Sequence, residues 1–284
     1  MNGVNVMTNR QCKCFRRGFG FTLVELLVAI GIIAILLAIL LPVLSKAIAR
    51  AHMVHCLSNQ RQLMQAIITY TVDNGGYLPP PNWEGGLHAG PPMPPGWLYD
   101  PSAVLAAGGF AKTDAQRGVL YPYINSLDVY HCPMDDTTWG SGTVQIVTSY
   151  VMNGAVIDFG YADQPEKLSA FKGTAALMWE LPSYPGQDQV DPGSINDGSN
   201  WPSEGTTTRH NNGTTIGFAD GHVEVWTWTQ FTNEWYYNYP GQLWCAAKWD
   251  PNLEFIKPQG PFDGGKSTAP TWPSSLPVQP ANSN

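Results

Sequence analysis

Charge is what this chain has least of: Asp, Glu, Lys and Arg make up 13% of its 284 residues. With 29 Gly and 24 Pro, that scarcity argues against a helical bundle and for a loop-rich body of short strands. Basic clusters are missing beyond the N-terminal third, which removes the electrostatic footprint of a nucleic-acid binder. No Gly-x-Ser-x-Gly, His-Glu-x-x-His or phosphate-binding loop occurs, so nucleophilic, zinc-protease and nucleotide chemistry lack support. The reading is therefore of a protein that is not an enzyme. Cysteine is also sparse, at five, and Cys12 and Cys14 stand within the first twenty residues.

What is present begins with those twenty residues, which carry Arg10, Lys13, Arg16 and Arg17 and no acid. The net charge is −7 with them and more negative without them. After Glu25 no charge appears until Lys46, and Leu26 to Ser45 are rich in Leu, Ile, Ala and Val. As a helix that run is ~30 Å long, one hydrocarbon thickness. Basic residues precede it, which puts the N-terminus in the cytoplasm and the remainder outside. A secretory signal has a shorter apolar core and a small-residue cleavage site after it. Here Gly20 stands before the apolar run, so a cut there leaves the anchor on the protein.

Gly20, Phe21-Thr22-Leu23-Val24 and Glu25 together resemble the recognition site of prepilin peptidase. The chain is similar in this respect to type IV pilins and to the pseudopilins of type II secretion. The resemblance implies cleavage between Gly20 and Phe21, methylation of the new Phe21 amine, and pairing of Glu25 with the N-terminal amine of a neighbouring subunit during assembly. A carboxylate at the edge of an apolar helix is costly unless paired, which fits that role. Pro42 inside the helix is expected to kink it and also resembles the family. From Lys46 to about Asn74 the pattern turns amphipathic, with Val54, Leu57, Leu63, Met64, Ile67, Ile68 and Tyr70 near helical spacing, and Asp73-Asn74-Gly75-Gly76 supplies a stop.

In the body, Gly118 to Ile124 reads as a helical turn or loop, and Val129 to Pro133 as a short strand. Val144 to Met152 and Ala175 to Leu181 are strand candidates. Trp83 and Trp97, in a Pro-rich stretch, are expected to pack on the body. Asp220-Gly221 between alternating apolar residues predicts a two-residue hairpin. In that register Phe218 faces Val223, Ile216 faces Val225, and these four form a core face. His210, nine residues, then Asp220-Gly221 resembles the processing-associated C-terminal motif of a large group of pilin-like proteins abundant in Planctomycetes. Cys56, Asn59-Gln60-Arg61-Gln62, Tyr70, Asp73-Asn74, Pro79 and Cys132-Pro133-Met134-Asp135 follow that group's order.

The expected fold class is α+β and pilin-like: a long N-terminal helix, its first half transmembrane, packed on a small antiparallel β-sheet domain with long loops. The expected organisation is a leader over 1–20, an assembly helix over 21–45, its amphipathic continuation over 46–75, a β-rich periplasmic domain over 76–257 and a Pro/Gly/Ser tail over 258–284.

His210, Asp220 and His222 are candidate metal ligands. Against that stands a tight turn that favours Asp-Gly and a histidine bonded to a loop. No cofactor is expected, although calcium on Asp135, Asp136, Asp188, Asp191 and Asp197 is a candidate by ligand type. In an oxidising compartment Cys56 and Cys132 are candidates for a bridge, with small buried residues or free thiols as the alternatives, and Cys245 has no evident partner. Trp235, Tyr236, Tyr237, Tyr239 and Trp244 read as core, or as a sugar-stacking face.

The expected function is a structural subunit of a type II secretion or type IV pilus-like filament. The expected partners are other pilin-like subunits, prepilin peptidase, the inner-membrane assembly platform and the inner membrane. A membrane-anchored binding module, with glycans as ligand, is the alternative.

Overall fold

The computed structural model describes residues 22–82, 95–135, 141–142, 147–160, 164–181, 198–202, 205–237 and 241–245. Gly20, Phe21, Trp83, Asp136, Val144, Asp188, Asp191, Asp197, Tyr239 and the tail over 258–284 lie outside them. The chain divides into two compact units, Met1–Ile48 and Ala49–Asn284. One helix, α1 (Leu23–Asp73), contributes to both.

In the first unit α1 starts with a reciprocal cap. Thr22 N and Oγ1 donate to Glu25 Oε2 at 2.9 and 2.8 Å, and Glu25 N donates back to Thr22 Oγ1 at 3.2 Å. This capping box satisfies donors that the first turn otherwise leaves open. The side chains that follow are apolar and exposed, from Leu23 at 74% to Leu37 at 46%. The segment is long and apolar enough to cross a membrane. The helix continues through Pro42, whose carbonyl accepts from Ser45 Oγ at 3.1 Å.

In the second unit α1 buries Cys56, Asn59, Gln60, Leu63, Met64, Ala66, Ile67 and Thr71. Most recur at three- and four-residue steps, the spacing of one helical face. The stripe differs from the expected one at Val54, which is 59% exposed, and in having two amides at its centre. The helix stops where Gly75 and Gly76 take φ of 67° and 91° and Gly76 N reaches Thr71 O at 2.8 Å.

That face lies on a five-stranded sheet of order β5-β3-β4-β6-β7, built from β3 (Tyr150–Asn153), β4 (Ala176–Glu180), β5 (Ser199–Asn200), β6 (Gly213–Phe218) and β7 (Val223–Thr227), while β1 (Phe110–Ala111) and β2 (Ser141–Gly142) pair with each other. The expected α+β class, a long helix with a small sheet, is what the structure has. The sheet is mixed rather than purely antiparallel, because β5 pairs parallel to β3. Gly217 permits the helix's approach: a Cβ there would lie 2.5 Å from Met64 Sδ. Gln60 Nε2 donates to the Met178 carbonyl at 3.1 Å, so helix and sheet also share a buried hydrogen bond.

Strand alternation divides the core between the two faces. Met152 and Met178 join the helix side, whereas Val151, Trp179, Ile216 and Phe218 join a cluster with Trp226, Phe231, Trp235 and Leu243. After the short helices α2 (Pro101–Ala107) and α3 (Tyr121–Ile124), Phe231 and Trp235 belong to α4 (Trp228–Tyr237), which Thr227 and Gln230 start with a second capping box. Trp179 and Phe231 meet edge-on, with ring centres 5.8 Å apart. Trp97 is fully buried and donates Nε1 to the Gly198 carbonyl at 2.8 Å.

The β6–β7 hairpin forms one residue out of the expected register. Gly217 pairs with Val223 and Ile216 with Glu224, around a three-residue loop in which Gly221 has φ 89°. The Asp220 carboxylate accepts from His222 N at 3.0 Å, and Asp220 N and Ala219 N bond Gly173 O and Ala175 O. These side bonds select the longer loop with its left-handed glycine over the tight two-residue turn. Phe218 therefore stacks on His222, ring centres 4.3 Å apart, while Val225 is turned to the opposite face and is 36% exposed. The stretch expected as a strand at Val129 to Pro133 is a 3-10 turn over Leu127–Tyr130. It is held to α1 rather than to a strand, since Asn59 Nδ2 donates to the carbonyls of Asp128 and His131 at 3.3 and 3.0 Å.

The tight helix–sheet approach gives a direct expectation. Gly217→Val will lower the stability of the detergent-solubilised chain by about 1–3 kcal/mol through overpacking. Adding Met64→Ala will recover part of the loss, and denaturant titration followed by Trp fluorescence reads both.

Candidate functional site

Two groups of residues stand out chemically. The first is the start of α1. Of the processing residues, Gly20 and Phe21 lie outside the described residues, while Glu25 sits at the third position of the helix with its carboxylate on Thr22. The group is exposed, at a helix N-terminus where the backbone dipole favours negative charge.

The second is a buried polar cluster where α1 meets the sheet. Cys56 on α1 and Cys132, just after the 3-10 turn, are joined as a disulfide, with Cα atoms 5.3 Å apart. Against Cys132 lies His210, whose Nε2 is 3.5 Å from the sulfur and 2.9 Å from Glu180 Oε1. Glu180 ends β4, and its other carboxylate oxygen accepts from Thr215 N of β6 at 3.2 Å. Neither side chain of the pair is exposed to solvent. His210 is placed by a reversal in which Asn211 and Asn212 take φ of 54° and 62°, so that His210 N bonds Gly213 O at 3.1 Å. Asparagine tolerates that left-handed conformation better than other side chains.

Next to His210, Arg209 forms a buried ion pair, Nη2 to Asp135 Oδ1 at 3.0 Å, and donates Nη1 to the Leu181 carbonyl at 3.1 Å. Asp135 Oδ2 accepts from Ser149 Oγ at 2.7 Å, and Ser149 Oγ in turn accepts from Cys132 N at 2.9 Å. Asp135 is thus engaged in an internal network, which opposes its use as a calcium ligand. The other carboxylates named for calcium lie outside the described residues. Burial pushes the Tyr150 phenol well above its usual value, and the nearby Glu180 carboxylate adds to the rise.

The structure does not bring His210, Asp220 and His222 together. His210 is buried beside Cys132, whereas Asp220 and His222 pair with each other on the exposed hairpin loop. The hydrogen bond from His222 N and that from its ring hold the Asp220 carboxyl below the usual range. Cys245 is a free thiol near Asn153, and desolvation pushes it up to about 12, so it is not a nucleophile at neutral pH. Trp235 and Trp244 are buried, and Trp244 Nε1 donates to the Trp235 carbonyl at 2.7 Å. Neither offers a face for sugar stacking.

Sequence reading missed Glu180 and Arg209. A signal existed for Glu180: a single carboxylate within the apolar run Ala175 to Leu181 needs a buried partner. Its pairing with His210, thirty residues away on an irregular loop, had none.

Removing one member of a buried ion pair strands the other, at about 3–5 kcal/mol. Arg209→Met will therefore destabilise the chain by about that amount, and Arg209→Met with Asp135→Asn by less. Denaturant titration of the full-length protein in detergent measures the difference.

Residues 16–41 match the family model for the prokaryotic N-terminal methylation motif. No curated protein and no solved structure matches the chain. The match covers Arg16 and Arg17, the Gly20–Phe21 junction, Glu25 and most of the apolar run, and gives the chain a methylation motif of the type IV pilin type.

Proposed function

We propose that this chain is a structural subunit, pseudopilin or minor pilin in kind, of a type II secretion or type IV pilus-like filament. The observation that carries the reading is the co-occurrence of Gly20 and Phe21 just before one long apolar helix and Glu25 in its first turn, within the matched segment 16–41. Prepilin peptidase clips between Gly20 and Phe21 and methylates the Phe21 amine. The N-terminus faces the cytoplasm, residues 21–45 hold the protein in the inner membrane as a single span, and the body stands in the periplasm. An assembly platform then draws subunits out, and their apolar helices bundle with those of other pilin-like subunits. The chain's work is mechanical, and it makes and breaks no bonds.

Glu25 supplies the specificity of that step. A carboxylate within hydrocarbon costs about 2.5–3.5 kcal/mol on insertion scales. The bonds from Thr22 offset part of this in the single subunit. The amine of a neighbour's processed Phe21 neutralises the rest, and so favours one axial step between subunits. Glu25→Val is expected to insert and to be clipped like the parent but to lose filaments, as read by shearing and electron microscopy in a host with the assembly machinery. Normal filaments from that variant would remove Glu25 from the assembly step.

A further inference from the structure

The Cys56–Cys132 bridge has neighbours that a bridge does not require. A disulfide is apolar and uncharged, yet Glu180 and His210 are wholly buried against it. Burying a carboxylate is expensive unless something neutralises it. One ligand atom from each of Cys56, Cys132, Glu180 and His210 lies within 4.8 Å of the other three. We propose that these four side chains are also a metal site: when the bridge is reduced, they hold one divalent cation of the zinc class in tetrahedral coordination.

The donor set is two thiolates, one imidazole and one carboxylate, which suits zinc and excludes hard cations that need six or more oxygens. Zinc bonds of about 2.3 Å to sulfur and 2.0–2.1 Å to nitrogen and oxygen put neighbouring tetrahedral corners roughly 3.6 Å apart for S and N, and roughly 3.3 Å for N and O. His210 Nε2 stands 3.5 Å from Cys132 Sγ and 2.9 Å from Glu180 Oε1, so two of the edges need shifts of a few tenths of an ångström or less. Glu180 is already oriented as a ligand should be: Oε2 is fixed by Thr215 N and Oε1 faces the cluster. Cys56 rides on α1 and Glu180 on β4, both regular elements, which gives the site a firm frame.

The two states exchange by balanced steps. A dithiol reductant attacks the Cys56–Cys132 bond, delivers two electrons, and leaves as its own disulfide; the two protons appear on the cysteine sulfurs. Binding of the cation then displaces both thiol protons to solvent. Either the S–S bond or the metal ties α1 to the turn that carries Cys132, and the metal adds β4 and the His210 loop to the same knot. The inference does not depend on filament assembly.

The test uses the full-length chain in detergent with Cys12→Ser and Cys14→Ser, which removes the leader thiols. The bridge is reduced with a phosphine, the phosphine is removed without oxygen, and Co²⁺ is titrated as the spectroscopic probe. Expected are one Co²⁺ per chain, thiolate charge-transfer bands in the near ultraviolet and tetrahedral bands in the visible, all abolished by one equivalent of Zn²⁺. The oxidised chain should show none. Glu180→Gln, accepted only where its circular dichroism matches the parent, should weaken Co²⁺ binding by about tenfold or more, because losing a ligand exceeds the usual effect of losing a ligand's partner. Should that variant not fold, Cys132→Ser takes its place with the same expectation. A reduced, folded parent without these bands overturns the site, and so does binding that neither variant changes.

Discussion

Residues 56 to 71 of α1 are at once part of a long helix and the centre of a globular core, and the second unit is organised on that constraint. A helix can lie close on a sheet only where the sheet has little side chain to offer, and Gly217 provides the place. Met64 fills it, Gln60 bonds the Met178 carbonyl across the contact, and Asn59 holds the turn that carries Cys132. The Cys56–Cys132 bridge closes the same contact covalently over a separation of 76 residues. Closing so long a loop restricts the unfolded chain by about 4–5 kcal/mol in the chain-entropy account. The opposite face of the sheet is covered independently, by α4 and the Trp179–Phe231–Trp235 cluster.

α1 shows two surfaces along its length. Up to Arg50 its side chains are almost all exposed and, apart from Glu25, apolar as far as Leu44; from Cys56 onward one face is buried and mixed in polarity. Apolar surface left exposed on this scale calls for a lipid or protein environment rather than water. The matched segment over residues 16–41 covers this apolar stretch as far as Leu41. The capping box at Thr22 and Glu25 shows how the acidic residue serves the isolated helix, and in the proposed assembly the same carboxylate meets a partner's amine.

Much of this was legible in the residues. The helix, its apolar first half, its glycine stop and the α+β class follow from periodicity and composition. The short helix over Tyr121–Ile124 falls inside the stretch read as a helical turn or loop, the strand over Ala176–Glu180 falls inside one that apolar and β-branched content marked, and the strand over Tyr150–Asn153 overlaps the other and runs one residue past Met152. The hairpin was legible as a hairpin but not in register, because Asp-Gly fits both a two-residue and a three-residue loop. The choice was made by backbone bonds to Gly173 and Ala175, which no local pattern reveals. The turn at Leu127–Tyr130 resembled a strand because Val129 and Tyr130 are strand formers, yet their burial comes from packing beside α1. The buried cluster was the least legible of all. Its members at 56, 132, 180 and 210 come from a helix, a turn, a strand and a loop, so no spacing joins them. The His210 motif drew attention to the right histidine but to the wrong companions, since Asp220 and His222 remain outside on the hairpin.

Entry into a filament depends on processing of the N-terminus, which is measured directly by intact mass and N-terminal sequencing of the protein extracted from membranes of a host that has prepilin peptidase. The predicted result is a chain that begins at N-methyl-Phe21 and keeps its apolar helix. An unclipped N-terminus, or a cut after the apolar run, would contradict it and leave a membrane-anchored module with no route into a filament.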